Sequence, residues 1–278
     1  MAGLFDLEFH EKKIKEYQPT LAKLDLVIDW EMFRETIEKA LYVEPKGAGG
    51  GPPFDKIMMF KILILQKYYN LSDEQTEFQI NDRTSFKQFL GLKIGDTIPD
   101  EKTIWHFKEQ LANKDLSKSL FEMFAVALMD KGIIAKEGSI VDATFVDVPK
   151  QRNSKEDNAD IKKGAVPLKF GKKDKNGKQS KLCQKDTDAR WMTKSGEKHF
   201  GFKDHINADE KTKLITKYSV TSAAPHDSTE IENIVDETDN RLHADSAYRS
   251  KEIEEHLKAI ECESFVHEKG YRGSPLTE

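Results

Sequence analysis

The sequence predicts an α+β chain in two parts: a helical N-terminal domain over residues 1–136 and an α/β domain with a mixed sheet over residues 137–278. Three observations predict it. The length of 278 residues suits about two domains. Apolar residues recur every three or four positions through the first ~135 residues, and after Gly138 the period drops to two. From there on, β-rich runs come first and then alternate with helical ones.

In order along the chain, Leu21, Leu24 and Ile28, then Phe33, Ile37 and Leu41, line one face of a helix. The run from Gly47 to Pro53 breaks regular structure and predicts a hinge. Phe54 to Tyr69 reads as a buried helix, and Ser72-Asp73-Glu74-Gln75 has the form of a capping box that starts the next one. Gly91 closes that helix, Pro99-Asp100-Glu101 opens another with Ile104, Phe107 and Leu111 on one face, and Asp115 to Lys131 is a longer helix ended by Gly132. Short helices with tight turns suit a helix-turn-helix DNA reader and an ordinary helical domain equally well.

Ser139 to Val148 is the first strand, being rich in β-branched and aromatic residues. Phe200 to Asn207 and Lys213 to Thr221 follow as strands, with a turn at residues 208–212. Ser228 to Asp239 reads as a helix capped by Ser228, residues 242–244 as a short strand, Ser250 to Ile260 as a helix, and Glu263 to His267 as a last strand.

Composition excludes several classes. Hydrophobic residues make up 37% and charged residues 33%, with a mean hydropathy of -0.66, so much of the surface is solvated or faces partners. The longest apolar stretch, residues 57–65, is cut by Lys61 and falls well short of the ~20 residues of a membrane span. The start, MAGLFDLEFHEKK, lacks the basic and apolar regions of an export signal, which predicts a cytoplasmic protein. Cys183 and Cys262 have neither the spacing of a zinc site nor that of a disulfide framework and are read as reduced thiols.

The net charge of -5 conceals an asymmetry. Residues 150–203 hold 16 Lys and Arg against 7 Asp and Glu, a local charge of +9, so the remainder sums to -14. Within this basic insert, set at 150–200, residues 169–185 are too polar to fold alone and are read as a mobile loop. The insert is either a solvated loop or a contact for a phosphate backbone, and charge alone does not choose between them.

Two acids stand out. Asp142 lies inside the first strand, where a carboxylate is costly unless it is paired or bound to a cation. Asp245 follows a short strand, at the carboxyl end where open α/β sheets build their sites. The two are 103 residues apart and meet only if the first and fourth strands are neighbours. Converging, they would offer hard oxygen donors to Mg²⁺ or Mn²⁺; otherwise they are strand-end or surface acids.

The runs VDAT (141–144), RWMTKSGEKHFGFKDHINAD (190–209), PHDS (225–228) and ADSAY (244–248) resemble, in order and spacing, the catalytic domain of insertion-sequence transposases of the DDE type, most of all the group usually called IS Five. IDW (28–30), GPPFDKIMMFKILILQ (51–66), SDEQ (72–75), FLGL (89–92) and PDEKTIWHFKEQL (99–111) are similar to that group's helical N-terminal domain. The resemblance therefore spans almost the whole chain. It implies an RNase H-like catalytic domain in which Asp142 and Asp245 are the first two acids of the triad and ligands of Mg²⁺ or Mn²⁺, in a two-ion site if the triad's missing glutamate is supplied. It also implies double-stranded DNA as partner, both transposon ends and target, and a homo-oligomer when active, associated with the nucleoid. Arg190, Lys194, Lys198 and Lys203 would hold the DNA backbone.

The family's third acid is a glutamate on a helix after the last strand. The run from Gly270 to Glu278 resembles the segment leading toward that helix, so the resemblance implies a domain truncated before the third acid, with Glu278 too early to serve. Two functions follow: a transposase that cleaves and joins transposon ends, or a non-catalytic DNA-binding truncated transposase. A junction-resolving nuclease suits the large helical domain less well. His226 and Asp227 match the family's HD pair or merely cap a helix, and His243 is read as a packing residue. Trp105 and Trp191 are either base-stacking residues or packing anchors.

Overall fold

The computed structural model describes residues 6–17, 19–44, 52–135, 137–165, 167, 171–173, 179–182, 186–194 and 196–268. The expected hinge at 47–51, Cys183 and the segment from Gly270 to Glu278 lie outside the described residues. The chain separates into two compact units, Met1–Ala127 and Leu128–Glu278.

Helices α1 (Asp6–Tyr17), α2 (Pro19–Val27), α3 (Arg34–Ala40), α4 (Lys56–Tyr68), α5 (Asp73–Asp82), α6 (Thr84–Leu90), α7 (Glu101–Asn113) and α8 (Leu116–Asp130) occupy the N-terminal half, with a 3-10 turn at Trp30–Phe33. The division between units falls inside α8, ahead of the expected boundary at 136.

Caps set the helix starts. Asp55 accepts from the Met58 amide at 2.9 Å and Asp100 from the Thr103 amide at 2.8 Å. Ser72 and Gln75 exchange reciprocal bonds of 3.1 Å, the capping box read from sequence. Each such cap contributes about 1 kcal/mol. Gly91 closes α6 at φ 74°, a backbone that favours glycine.

The stripe Leu21, Ile28, Phe33, Ile37 and Leu41 is buried, as are Ile62, Leu65, Ile80, Phe86 and Ile104. Each full burial of this kind stabilises by roughly 1.5–3 kcal/mol. Lys61, which interrupts the apolar run, stays in the helix because its ammonium pairs with Asp25 at 2.8 Å and lies over the rings of Phe89 and Trp30.

The second unit is built on β1 (Ser139–Asp147), α9 (Lys155–Lys162), β2 (Gly171–Lys173), β3 (Gln179–Leu182), β4 (Arg190–Lys194), β5 (Glu197–Asp209), β6 (Ile215–Ser222), α10 (Ile231–Ile234), β7 (Arg241–Ala244), α11 (Lys251–Ala259) and β8 (Glu263–Val266). The main sheet runs β4-β5-β1-β7-β8, with β6 also pairing β5. β1, β5, β4 and β6 are joined antiparallel, whereas β7 and β8 are parallel additions reached by crossovers. It is thus a mixed sheet following a helical region.

β5 is long enough to serve two partners on one edge, β4 along residues 197–201 and β6 along 202–208. Gly201 sits where they change over, at φ 156°; a Cβ there would meet the Val146 carbonyl oxygen at 2.1 Å, so only glycine lets β5 approach β1 this closely. α10 and α11 contribute Ile231, Ile234, Ile253 and Leu257 to a core that also takes Val141, Leu242, Ala244, Tyr248 and Val266 from the sheet and its edges.

Three expectations need correction. The basic insert is not loop throughout: α9 forms behind a capping box of Ser154 and Asp157 and buries Ile161, and β2 and β3 pair within the stretch read as mobile. Its last residues belong to the main sheet, as β4 and the start of β5. The helix read over 228–239 is a 3-10 turn, Asp227–Glu230, followed by the single turn of α10, and its cap is His226 rather than Ser228. It stops at Val235 because Asp236 to Asp239 forms a turn held by Lys217, which pairs with both aspartates at 2.8 Å.

Candidate functional site

The parallel ladder between β1 and β7 pairs Ser139 with Leu242, Ile140 with His243 and Val141 with Ala244. Asp142 and Asp245 each come one residue after the last of these pairs. Neighbouring strands lie about 4.8 Å apart, so the register sets the two acids side by side at the carboxyl end of β7. The condition read from the sequence, that the strand holding Asp142 and the strand before Asp245 be neighbours, is met by β1 and β7.

One oxygen of each acid is held by backbone. Asp142 Oδ1 accepts from the Ala143 amide at 2.7 Å, and Asp245 Oδ1 accepts from the Ala247 amide at 2.8 Å, capping the 3-10 turn Ser246–Tyr248. Both residues are exposed, so their carboxylates are open to solvent while one oxygen of each is already oriented. Hard oxygen donors on rigid strand ends fit Mg²⁺ or Mn²⁺. Among the described residues no group of three or more His, Cys, Asp or Glu is gathered to hold a metal ion, so the two carboxylates stand as a pair.

Behind the pair lies a polar layer. Alternate residues of β5, namely Lys203, His205, Asn207 and Asp209, are all buried, the opposite of the usual inward apolar set. Each has a partner: Lys203 pairs with Asp227 at 2.7 Å and donates to the Pro225 carbonyl at 2.6 Å; His205 bonds Thr221 at 2.9 Å; Asn207 donates to the Ile234 carbonyl at 2.7 Å; and Asp209 accepts from the Thr212 amide at 2.7 Å. Burial holds the His205 imidazole below its ordinary value, outweighing the pull of Asp227 and Glu230.

Asp204, on the same face of β5 as Asp142's cross-strand partner Ile206, has its carboxyl pushed up by burial. Sequence reasoning passed over it, because an acid inside FGFKDH looks like an ordinary solvated one.

The four cations expected on DNA divide. Lys194 and Lys198 are exposed on the β4–β5 hairpin. Arg190 is spent on carbonyls, donating to Thr187 at 2.6 Å, Ala189 at 3.0 Å and Ile161 at 3.2 Å, which ties β4 to the end of α9. Lys203 is 1% exposed and its ammonium is taken by Asp227, which leaves a phosphate no access to it. It is a core residue here, not a surface cation.

The remaining candidates also have places. His226 accepts from the Ser228 amide at 3.3 Å, the capping role read for it from sequence. His243 stacks on Phe265 with centroids 5.0 Å apart. Trp105 and Trp191 are 52% and 49% exposed, so neither is a buried anchor, although Trp191 leans on Phe200. Burial pushes the Cys262 thiol up to about 11, which keeps it protonated and inert. No helix among the described residues is long and apolar enough to cross a membrane.

A helical unit followed by a mixed sheet with an acid pair at adjoining strand ends defines a carboxylate-bearing α/β domain with a helical partner module. Comparison with known families agrees: residues 8–110 match the model described as "Transposase domain (DUF772)", and residues 134–274, 141 of the 278, match "Transposase DDE domain". The chain belongs to the DDE transposase family. No solved structure matches it.

Proposed function

We propose that this chain binds the terminal inverted repeats of a transposable element and catalyses metal-dependent strand cleavage and strand transfer, as a member of the IS Five group with an RNase H-like catalytic domain. The observation that carries this reading is the β1–β7 register, which brings Asp142 and Asp245 together from 103 residues apart. An antiparallel meander extended by two parallel crossovers supports the RNase H-like assignment. The division of labour is a helical DNA-binding domain at 1–136 and a catalytic domain at 137–278.

Asp142 and Asp245 are the metal ligands and catalytic acids of the proposal. Divalent ions, two in the full site, supply activation of an attacking oxygen and stabilisation of a leaving one. The protein holds the two carboxylates in fixed orientation through the Ala143 and Ala247 amides, so little reorganisation is needed when the cation arrives. Lys194 and Lys198 contact phosphates of the DNA, Arg190 holds their hairpin in place, and Lys203 takes no part in DNA contact, bracing β5 through Asp227 instead. The active species is a homo-oligomer on nucleoid DNA.

The test is cleavage of labelled transposon-end DNA by the purified chain in Mg²⁺ or Mn²⁺. Cleavage that disappears in Asp142→Asn and in Asp245→Asn, with DNA binding retained, supports the reading. Binding without any cleavage by the wild-type chain would instead favour a non-catalytic DNA-binding transposase derivative.

A further inference from the structure

Tyr248 heads the fully buried side chains by volume among the described residues, at 1% exposure. It ends the 3-10 turn that Asp245 caps, and its amide donates back to the Asp245 carbonyl at 3.2 Å. Its ring belongs to the core with Val141 and Ala244, the two residues that directly precede the acids. The phenol oxygen is sealed from solvent and has no hydrogen-bond partner among the described residues. Such a group is costly to bury, and in native proteins it is uncommon enough to call for a physical reason.

The surroundings supply that reason. Burial holds the phenol well above its ordinary value and so keeps it protonated, with the negative charges of Asp227, Asp142 and Asp245 adding to that effect. Tyr248 is thus a protonated phenol at the end of the turn that Asp245 caps. Asp227 is already engaged by Lys203. The carboxylates of Asp142 and Asp245 have one oxygen each on a backbone amide and are not tied to a cationic side chain by any described ion pair.

We infer that Tyr248 is a positioning residue of the acid pair, its hydroxyl donating to the carboxylate of Asp142 or Asp245 when those groups take up a divalent cation. This rests on the reading of Asp142 and Asp245 as cation ligands. A donor behind a ligating carboxylate fixes its orientation, and loss of such a partner typically weakens metal affinity by about 10- to 100-fold. The orphaned hydroxyl is then the relaxed state of a bond that forms on loading.

Mn²⁺ alone is the probe, added to the full chain without DNA and followed both by direct binding and by the rise in melting temperature. Tyr248→Phe should be at least as stable as wild type without the ion, because it removes an unpaired buried hydroxyl, yet bind Mn²⁺ at least about tenfold more weakly. A purely structural tyrosine, including one that serves only Asp227, would shift stability equally with and without Mn²⁺ and leave affinity unchanged, and that result overturns the proposal. Failure of the underlying reading is distinct: wild type would not bind Mn²⁺, or Asp142→Asn would bind it as well as wild type. As a check that needs no variant, wild-type protein labelled at tyrosine Cζ should show the Tyr248 resonance moving on addition of Mg²⁺. A resonance that stays still while the ion binds also overturns it.

Discussion

Lys203 and Asp227 meet at 2.7 Å in a pair whose lysine side chain is 2% exposed and whose aspartate is 15% exposed. The bond links the middle of β5 to the turn that starts at Asp227, and Phe145 covers the ammonium at 5.5 Å from its ring centroid. Removing one charge leaves the other buried and uncompensated. Lys203→Met should therefore destabilise the fold by about 3 kcal/mol, while the double change Lys203→Met with Asp227→Asn should recover most of the loss. Urea denaturation of the four proteins reads this directly, and additive losses would show that the pair is not coupled.

Gly201→Ala should destabilise by more than the ~1 kcal/mol by which the same change stabilises a compatible position, because the new methyl falls on the Val146 carbonyl. β5 would have to move away from β1 at the point where it passes from β4 to β6. Amide exchange along β1 and β5 would report the loosening; unchanged protection there would contradict the close approach.

Stability should fall on mild acidification. Burial depresses the His205 imidazole, with Lys203 adding to that effect and Asp227, Glu230 and Asp204 opposing it. The unfolded chain thus takes up a proton near the ordinary value of ~6.5 while the folded chain resists it, so stability is whole above that pH and declines below it. His205→Gln, which keeps a polar group for Thr221, should flatten this decline in a denaturation series from pH 7.5 to pH 5. A second decline belongs to Asp236: burial would raise it, but hydrogen bonds from Lys217 and Thr238 prevail and hold it at about 2, so its contribution is present above ~4 and lost toward pH 2.

DNA binding should weaken with salt, and Lys194→Ala and Lys198→Ala should each reduce the slope of log affinity against log salt by about 0.9. Arg190→Ala should act differently, lowering stability through the loss of its bonds to Thr187, Ala189 and Ile161. Titrations at several salt concentrations separate the two effects; slopes unchanged by either lysine variant would remove the hairpin from the DNA interface.

Much of this architecture is written in local signals. Ser72 with Gln75, Asp100 and Gly91 mark helix ends through bonds made within a few residues, so each was readable without knowing the fold. The acid pair was readable in part: Asp142 is conspicuous inside a β-rich run, but its meeting with Asp245 depends on a parallel pairing that no local pattern encodes. α9 was passed over although Ser154 and Asp157 form a capping box, because the lysine-rich composition around it suggested a chain with nothing to bury. The burial of Lys203 could not be read at all. A lysine is solvated by default, and the reason this one is not, Asp227, lies 24 residues away and arrives only when β6 and the following turn fold back.

The stretch from 148 to 189 leaves the main sheet after β1 and rejoins it at β4, which touches only the first residues of β5. None of the ladder that aligns the two acids passes through it. Insertions within that excursion should therefore leave the alignment of Asp142 with Asp245 intact, so that a fluorescent reporter spliced there would ride on the molecule as a passenger.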